Sequence, residues 1–122
     1  MNSSARAVAL VAAILSLSAV ILAAMGSHLI DMKEMQSLWQ TASVIHLFSA
    51  AALVGLAALL ASFYSRLLKW ATWLIIFGAV VFCGSIYFHV ISGHKVPMVT
   101  PVGGFLMMVG WLLAALAFYR KS

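Results

Sequence analysis

Charged side chains in this chain are confined to a few short segments, and the stretches between them leave room for little but a membrane. Arg6, the Asp31–Glu34 segment, Arg66 and Lys69, Lys95, and Arg120 and Lys121 carry every charge in the 122 residues. Between them lie Ala7–Ile30, Met35–Ser65, Trp70–His94 and Val96–Tyr119, with no Asp, Glu, Lys or Arg. A hydrocarbon layer of about 30 Å is crossed by about 20 helical residues rising 1.5 Å each. Each stretch is long enough to cross once, and none is long enough to cross twice. Backbone groups in lipid must satisfy one another, so each crossing is expected to be an α-helix. Barrel strands would alternate in about ten-residue units, and these runs are continuously apolar. The expectation is an all-α membrane protein, a compact bundle of four transmembrane helices forming one domain over residues 1–122. The helices are expected at about 7–30, 38–65, 70–92 and 101–119.

Composition closes off the alternatives. The chain is 66% hydrophobic and 7% charged, against about 45–50% and about 25% in soluble domains. A globule this small would leave roughly a third of its unfolded surface in water. A soluble enzyme, a disordered tail and a nucleic-acid module are therefore excluded. The net charge of +5 reads as topology, with the lipid bilayer and no nucleic acid as partner. With four crossings, Arg6, Arg66, Lys69, Arg120 and Lys121 share one side without an acid. Lys33 and Lys95 lie opposite, beside Asp31 and Glu34. This bias places both termini in the cytoplasm or its organellar equivalent, and the protein in a bacterial inner membrane or an organellar inner membrane. Trp70, Trp73, Tyr64 and Tyr119 are expected in the inner aromatic belt and Trp39 in the outer one. Arg6 followed by Ala7–Ala24 and the small-residue site Ala24-Met25-Gly26 also fits a signal peptide. Its removal would leave three crossings and separate the basic segments, so it is expected to stay as the first helix.

The connections carry their own chemistry. Arg66-Leu67-Leu68-Lys69 reads as a tight loop joining antiparallel neighbours. Ser92-Gly93 is a helix stop with glycine available for the left-handed position. Thr100-Pro101 is a helix start, Thr as N-cap and Pro in the first helical position. Met32, Met35, Leu38 and Trp39 recur at helical spacing, which predicts a short interfacial helix over 31–38. Small residues allow helices to approach closely in lipid. Ala71, Gly78, Ser85 and Ser92 form such a stripe on the third helix, Gly103, Gly110, Ala114 and Ala117 on the fourth, and Ala50, Ala57 and Ala61 on the second. Gly78, Gly84, Gly103, Gly104 and Gly110 are the expected packing glycines. The stripes serve internal packing, a partner subunit, or both.

Four histidines, His28, His46, His89 and His94, fall in or at the outer half of the bundle. Buried ionisable groups in membranes are candidates for function and face the bundle interior. His28, His46, His89 and Ser85 are thus candidate ligands or helix bridges, with Met25 a further candidate if a metal is held. Imidazole with thioether suits copper. Two imidazoles at matched depth could hold haem, and one beside aromatic rings could bind a quinone or a lipid headgroup. The histidines sit one per helix, so no spacing motif selects among these or against plain bridging. Absences are more selective. A single cysteine, Cys83, excludes a membrane dithiol oxidoreductase, because exchange needs two thiols. No carboxylate lies inside a crossing, which disfavours a small proton-coupled transporter. No phosphate loop, nucleophile elbow or zinc-protease helix is present, and no catalytic residue is assigned.

Several elements in order carry a resemblance. They are Gly26-Ser27-His28-Leu29, Trp39-Gln40-Thr41-Ala42, Phe82-Cys83-Gly84-Ser85-Ile86-Tyr87, Ser92-Gly93, Thr100-Pro101-Val102-Gly103-Gly104 and Gly110-Trp111. With this set the chain resembles, over nearly its whole length, the small four-helix membrane proteins of the domain of unknown function 423 family, including the transmembrane protein 256-like members. The resemblance implies four crossings and no established activity. His28 matches the family's Gly-Ala-His element with Ser27 in place of Ala. Ser49 stands where relatives usually carry histidine, and His46 lies one turn earlier. The reading from sequence is a small integral membrane protein, an accessory or assembly subunit of a larger membrane complex or a homo-oligomer. A ligand-binding protein holding copper, haem or a quinone is the second reading and a small transporter the third.

Overall fold

The computed structural model describes residues 2–29, 33–94 and 98–121, without the side chains of residues 27–29 and 121. The chain forms α1 (Ser3–Leu29), α2 (Lys33–Ser62), α3 (Arg66–Ser92) and α4 (Val99–Lys121). All four are long and apolar enough to cross a membrane, and there is no strand among the described residues. The bundle is all-α, as its uncharged stretches require.

Helix ends fall where side chains or glycine can satisfy the terminal backbone groups. Asn2 Oδ1 accepts from Ala5 N at 2.7 Å and so caps α1. Its amide also donates to Leu60 O at 2.8 Å, which fastens the start of α1 to the end of α2. The connection between α2 and α3 is Phe63-Tyr64-Ser65, and Arg66–Lys69 is the first turn of α3 instead of a loop. Ser65 has extended backbone and accepts from Leu68 N at 3.3 Å, so the cap sits before the basic pair. Gly93 takes φ 77° and donates its N–H to His89 O at 2.9 Å, the left-handed stop expected there. Helix α4 begins at Val99, so Thr100 lies inside its first turn and does not act as the expected N-cap. Pro101 is still within that turn, where its missing N–H costs no hydrogen bond. Lys33–Leu38 form the opening turns of α2 and not a separate interfacial helix, with Glu34 at the end that favours negative charge. Residues 31 and 32 of that expected helix lie outside the described residues.

Packing follows chain order. α3 and α4 lie closest, α1 lies against α2, and α2 against α3. Of the apolar stretches of α2 and α3, 39% and 44% is buried, against 17% and 22% for α1 and α4. The bundle therefore has α2 and α3 at its centre and α1 and α4 on its flanks. Two clusters fill it. Val8, Leu53, Leu60, Leu68, Ile75 and Ala114 belong to one, and Trp39, Ala42, Cys83, Ile86 and Tyr87 to the other. Lipid tails are as apolar as leucine, so the cohesion here comes from close packing and interhelical hydrogen bonds.

The α3–α4 contact depends on missing side chains. A Cβ on Gly78 would stand 2.7 Å from Met107 N and 2.8 Å from Gly103 O. One on Gly103 would overlap the backbone N of Phe82, and one on Gly110 would stand 2.6 Å from Ile75 Cγ1. Gly104 has only ordinary contact with the Phe82 ring. Gly84, expected to pack, faces open space, and a Cβ there would meet nothing within 4 Å. It lies on the side of α3 turned away from α4. Ala61 on α2 and Ser92 at the end of α3 are likewise exposed.

Candidate functional site

Polar side chains from three helices meet at His46. It lies on α2 four residues before the middle cluster of alanines, 7% exposed, and faces both α1 and α3. Its Nε2 is 3.2 Å from Ser18 Oγ on α1, and its Nδ1 is 3.0 Å from the Tyr87 hydroxyl on α3. The Ser18 hydroxyl donates to Leu15 O at 3.0 Å. With that proton engaged, Ser18 accepts from Nε2–H, and Nδ1 is left to accept from the Tyr87 O–H. A neutral imidazole then satisfies both neighbours, and three helices are joined through one ring.

The surroundings hold this arrangement in place. Tyr87 stacks against Trp39, ring centroids 4.7 Å apart and tilted 55°. Trp39 is 3% exposed and donates its indole N–H to Leu22 O at 2.7 Å. It is not the outer-belt residue that its place near a helix start suggests. Gly26 explains why: a Cβ there would overlap Trp39 Cδ1 and Nε1, so the glycine opens the notch that receives the ring. Cys83 is buried and donates to Ala42 O at 3.4 Å. Ser43 Oγ is buried beside Tyr87 without a hydrogen bond of good geometry.

The other candidates are elsewhere. The side chain of His28 lies outside the described residues. His89 is half-buried near the end of α3, and His94 is exposed, its N–H donated to Ser92 Oγ at 3.1 Å. Ser85 does not face the histidine. It donates to Phe82 O at 2.8 Å and meets the Thr100 hydroxyl, linking α3 to α4. Thr100 thus bonds across the bundle instead of capping its own helix. Ser49, one turn beyond His46, is 1% exposed and reaches Met107 Sδ at 3.9 Å. Met25 is 37% exposed. Among the described residues no three His, Cys, Asp or Glu side chains gather where a metal could sit.

A cavity of about 150 Å³ opens beside His46, lined among others by Ser18, Gly84 and Tyr87. It is smaller than the about 300–1,000 Å³ usual for pockets that hold small molecules and cofactors. Both ring nitrogens of His46 are engaged, and a metal would have to displace Ser18 or Tyr87. The two contacts of the His46 ring join α2 to α1 and to α3. Ser18, Tyr87 and Trp39 were absent from the candidates drawn from sequence. Ser18 and Tyr87 are ordinary members of apolar runs, and only the packing brings them to His46.

A model of the family described as "Protein of unknown function (DUF423)" matches residues 22–104. A UPF0382 membrane protein of Staphylococcus epidermidis is 32% identical over 98 residues, covering 77% of this chain and 80% of its own. UPF0382 inner membrane protein YgdD of Escherichia coli K12 is 32% identical over 110 residues, covering 84% of each chain. A Staphylococcus aureus UPF0382 membrane protein is 32% identical over 85 residues, 69% of each. No solved structure matches. The matched region runs from the end of α1 to the start of α4 and contains Gly26, Trp39, His46, Tyr87 and Gly103. With four membrane-crossing helices and relatives that are themselves membrane proteins, the chain belongs to the DUF423 family of membrane proteins of unknown function.

Proposed function

We propose that this protein is a non-enzymatic accessory or assembly subunit of a membrane complex, seated in an inner membrane with both termini in the cytoplasm. The observation that carries this reading is where the polar side chains go. His46 joins Ser18 and Tyr87, Ser85 joins Thr100, and Ser49 reaches Met107, each pair on different helices. These groups hold the bundle together instead of converging on an open site. The outward faces of α1 and α4 are apolar, with Leu10, Ile14 and Leu17 on one and Phe105, Met108 and Leu112 on the other. On α2, Ala51, Gly55 and Ala58 also face outward, and a Cβ on Gly55 would meet nothing within 4 Å. Outward small residues suit a neighbouring helix better than lipid chains.

The test is extraction of the native membrane in mild detergent at endogenous expression, followed by native electrophoresis and a metal and visible-light assay. The expected result is a defined assembly larger than the 13.1 kDa chain in its micelle, containing a stoichiometric partner or further copies. A strictly monomeric protein would refute the reading, and so would a Soret band or stoichiometric copper.

A further inference from the structure

One end of the bundle carries cations and, among the described residues, no acidic side chain. Asn2 places the start of α1 beside the end of α2, and Arg66 and Lys69 follow on the first turn of α3. Arg120 closes α4 at the same end, because it lines a cavity with Arg66. That cavity, about 570 Å³ and open to the outside, is lined by Ser65, Arg66, Leu67, Trp70, Ala117 and Arg120. Among the described residues the one carboxylate side chain is Glu34, in the first turn of α2. It stands about 40 Å away along that helix at 1.5 Å per residue. No ion pair therefore neutralises either guanidinium among the described residues.

We propose that this cavity binds the phosphodiester headgroup of an anionic phospholipid. Guanidinium groups match phosphate oxygens in paired hydrogen bonds. Two of them face one cavity where α3 begins and α4 ends. The apolar walls select a lipid over a free anion. Leu67 and Ala117 line the cavity, and Trp70, 61% exposed, stands at its mouth with Lys69 Nζ 5.5 Å from the ring centre. An indole at a helix start belongs at headgroup depth, so a lipid phosphate can enter while its acyl chains run along α3. Basic pockets between transmembrane helices recognise anionic headgroups in this manner. The site does not depend on membership of a larger complex.

The experiment is native mass spectrometry of the full chain in detergent with added phosphatidylglycerol or phosphatidylcholine, and melting followed by circular dichroism. Arg66→Gln and Arg120→Gln are compared with Arg6→Gln, which removes the same charge from the same end outside the cavity. Arg66→Lys and Arg120→Lys keep the charge, and a melt close to wild type shows which variants are folded. The expected result is retention of phosphatidylglycerol over phosphatidylcholine, weakened roughly fivefold by each cavity glutamine and less than twofold by Arg6→Gln. The lysine variants should fall between. Equal losses in all three glutamine variants would assign the effect to diffuse charge and overturn the site. Undiminished binding in the folded double variant Arg66→Gln/Arg120→Gln would overturn it too. Competition or equal thermal stabilisation by millimolar inorganic phosphate would overturn the lipid assignment and give the cavity to a free anion.

Discussion

Replacing Gly103 by alanine adds one carbon where the backbones of α3 and α4 approach most closely. The new Cβ would overlap Phe82 N, and would stand 2.8 Å from Phe82 Cα and 2.9 Å from Gly78 O. All three are backbone atoms, so no rotamer change relieves the clash. Ordinary carbon contacts lie at about 3.5–4.0 Å, so α4 must move away from α3 by about 1 Å. Gly78 and Gly110 share that contact, and their packing loosens with it. Overpacking of this kind costs about 1–3 kcal/mol, and the upper half of that range is expected because backbone opposes backbone. Gly84→Ala is the matched control. It meets nothing within 4 Å, and relief of glycine's flexibility should leave stability unchanged or raise it by up to about 1 kcal/mol. Gly78→Ala places its Cβ against Met107 N and Gly103 O in the same crossing. One displacement of α4 relieves both, so the double variant should cost little more than the worse single one. Unfolding of the purified protein in bicelles or mixed micelles, followed by circular dichroism, measures the differences. Gly103→Ala as stable as Gly84→Ala would refute the close-crossing argument. Full additivity of Gly78→Ala and Gly103→Ala would refute the shared displacement.

Three further outcomes are expected in the same assay. His46→Gln and Tyr87→Phe should each destabilise the fold by about 0.6 kcal/mol, the average for interhelical hydrogen bonds in membranes, and by no more than about 1.7 kcal/mol, and a double-mutant cycle should show coupling between them. Gly26→Ala should expel the Trp39 indole, read as a shift of tryptophan fluorescence, and the double variant Gly26→Ala/Trp39→Leu should recover stability that the single variant loses. Asn2→Ala removes the cap of α1 and the bond to Leu60 O. It should cost about 1 kcal/mol and speed amide exchange in the first turn of α1.

The number of helices was legible because charge has nowhere to hide in lipid. Each uncharged stretch became one helix, and Gly93 took the left-handed stop that its place after Ser92 suggested. Start signals were less reliable. Arg66–Lys69, expected as a loop, is the first turn of α3 behind a Ser65 cap, and Thr100 is not a cap, because the Ser85 hydroxyl on α3 competes for its side chain. The site was half legible. His46 stood out as an ionisable group in an apolar run. Ser18 and Tyr87 did not, since hydroxyls are common in membrane helices and their value depends on what lies across the contact. Trp39 misled for the same reason, its burial being decided by a glycine on another helix.

By itself the sequence determined four α-helices in a membrane and the segregation of positive charge, because burying charge or unpaired backbone in hydrocarbon costs too much to permit another solution. Tertiary structure decided which helices are central, which glycines are needed and what His46 does. Those outcomes depend on atoms from different helices meeting within a few ångströms, and periodicity along one helix does not record which neighbour its face will find.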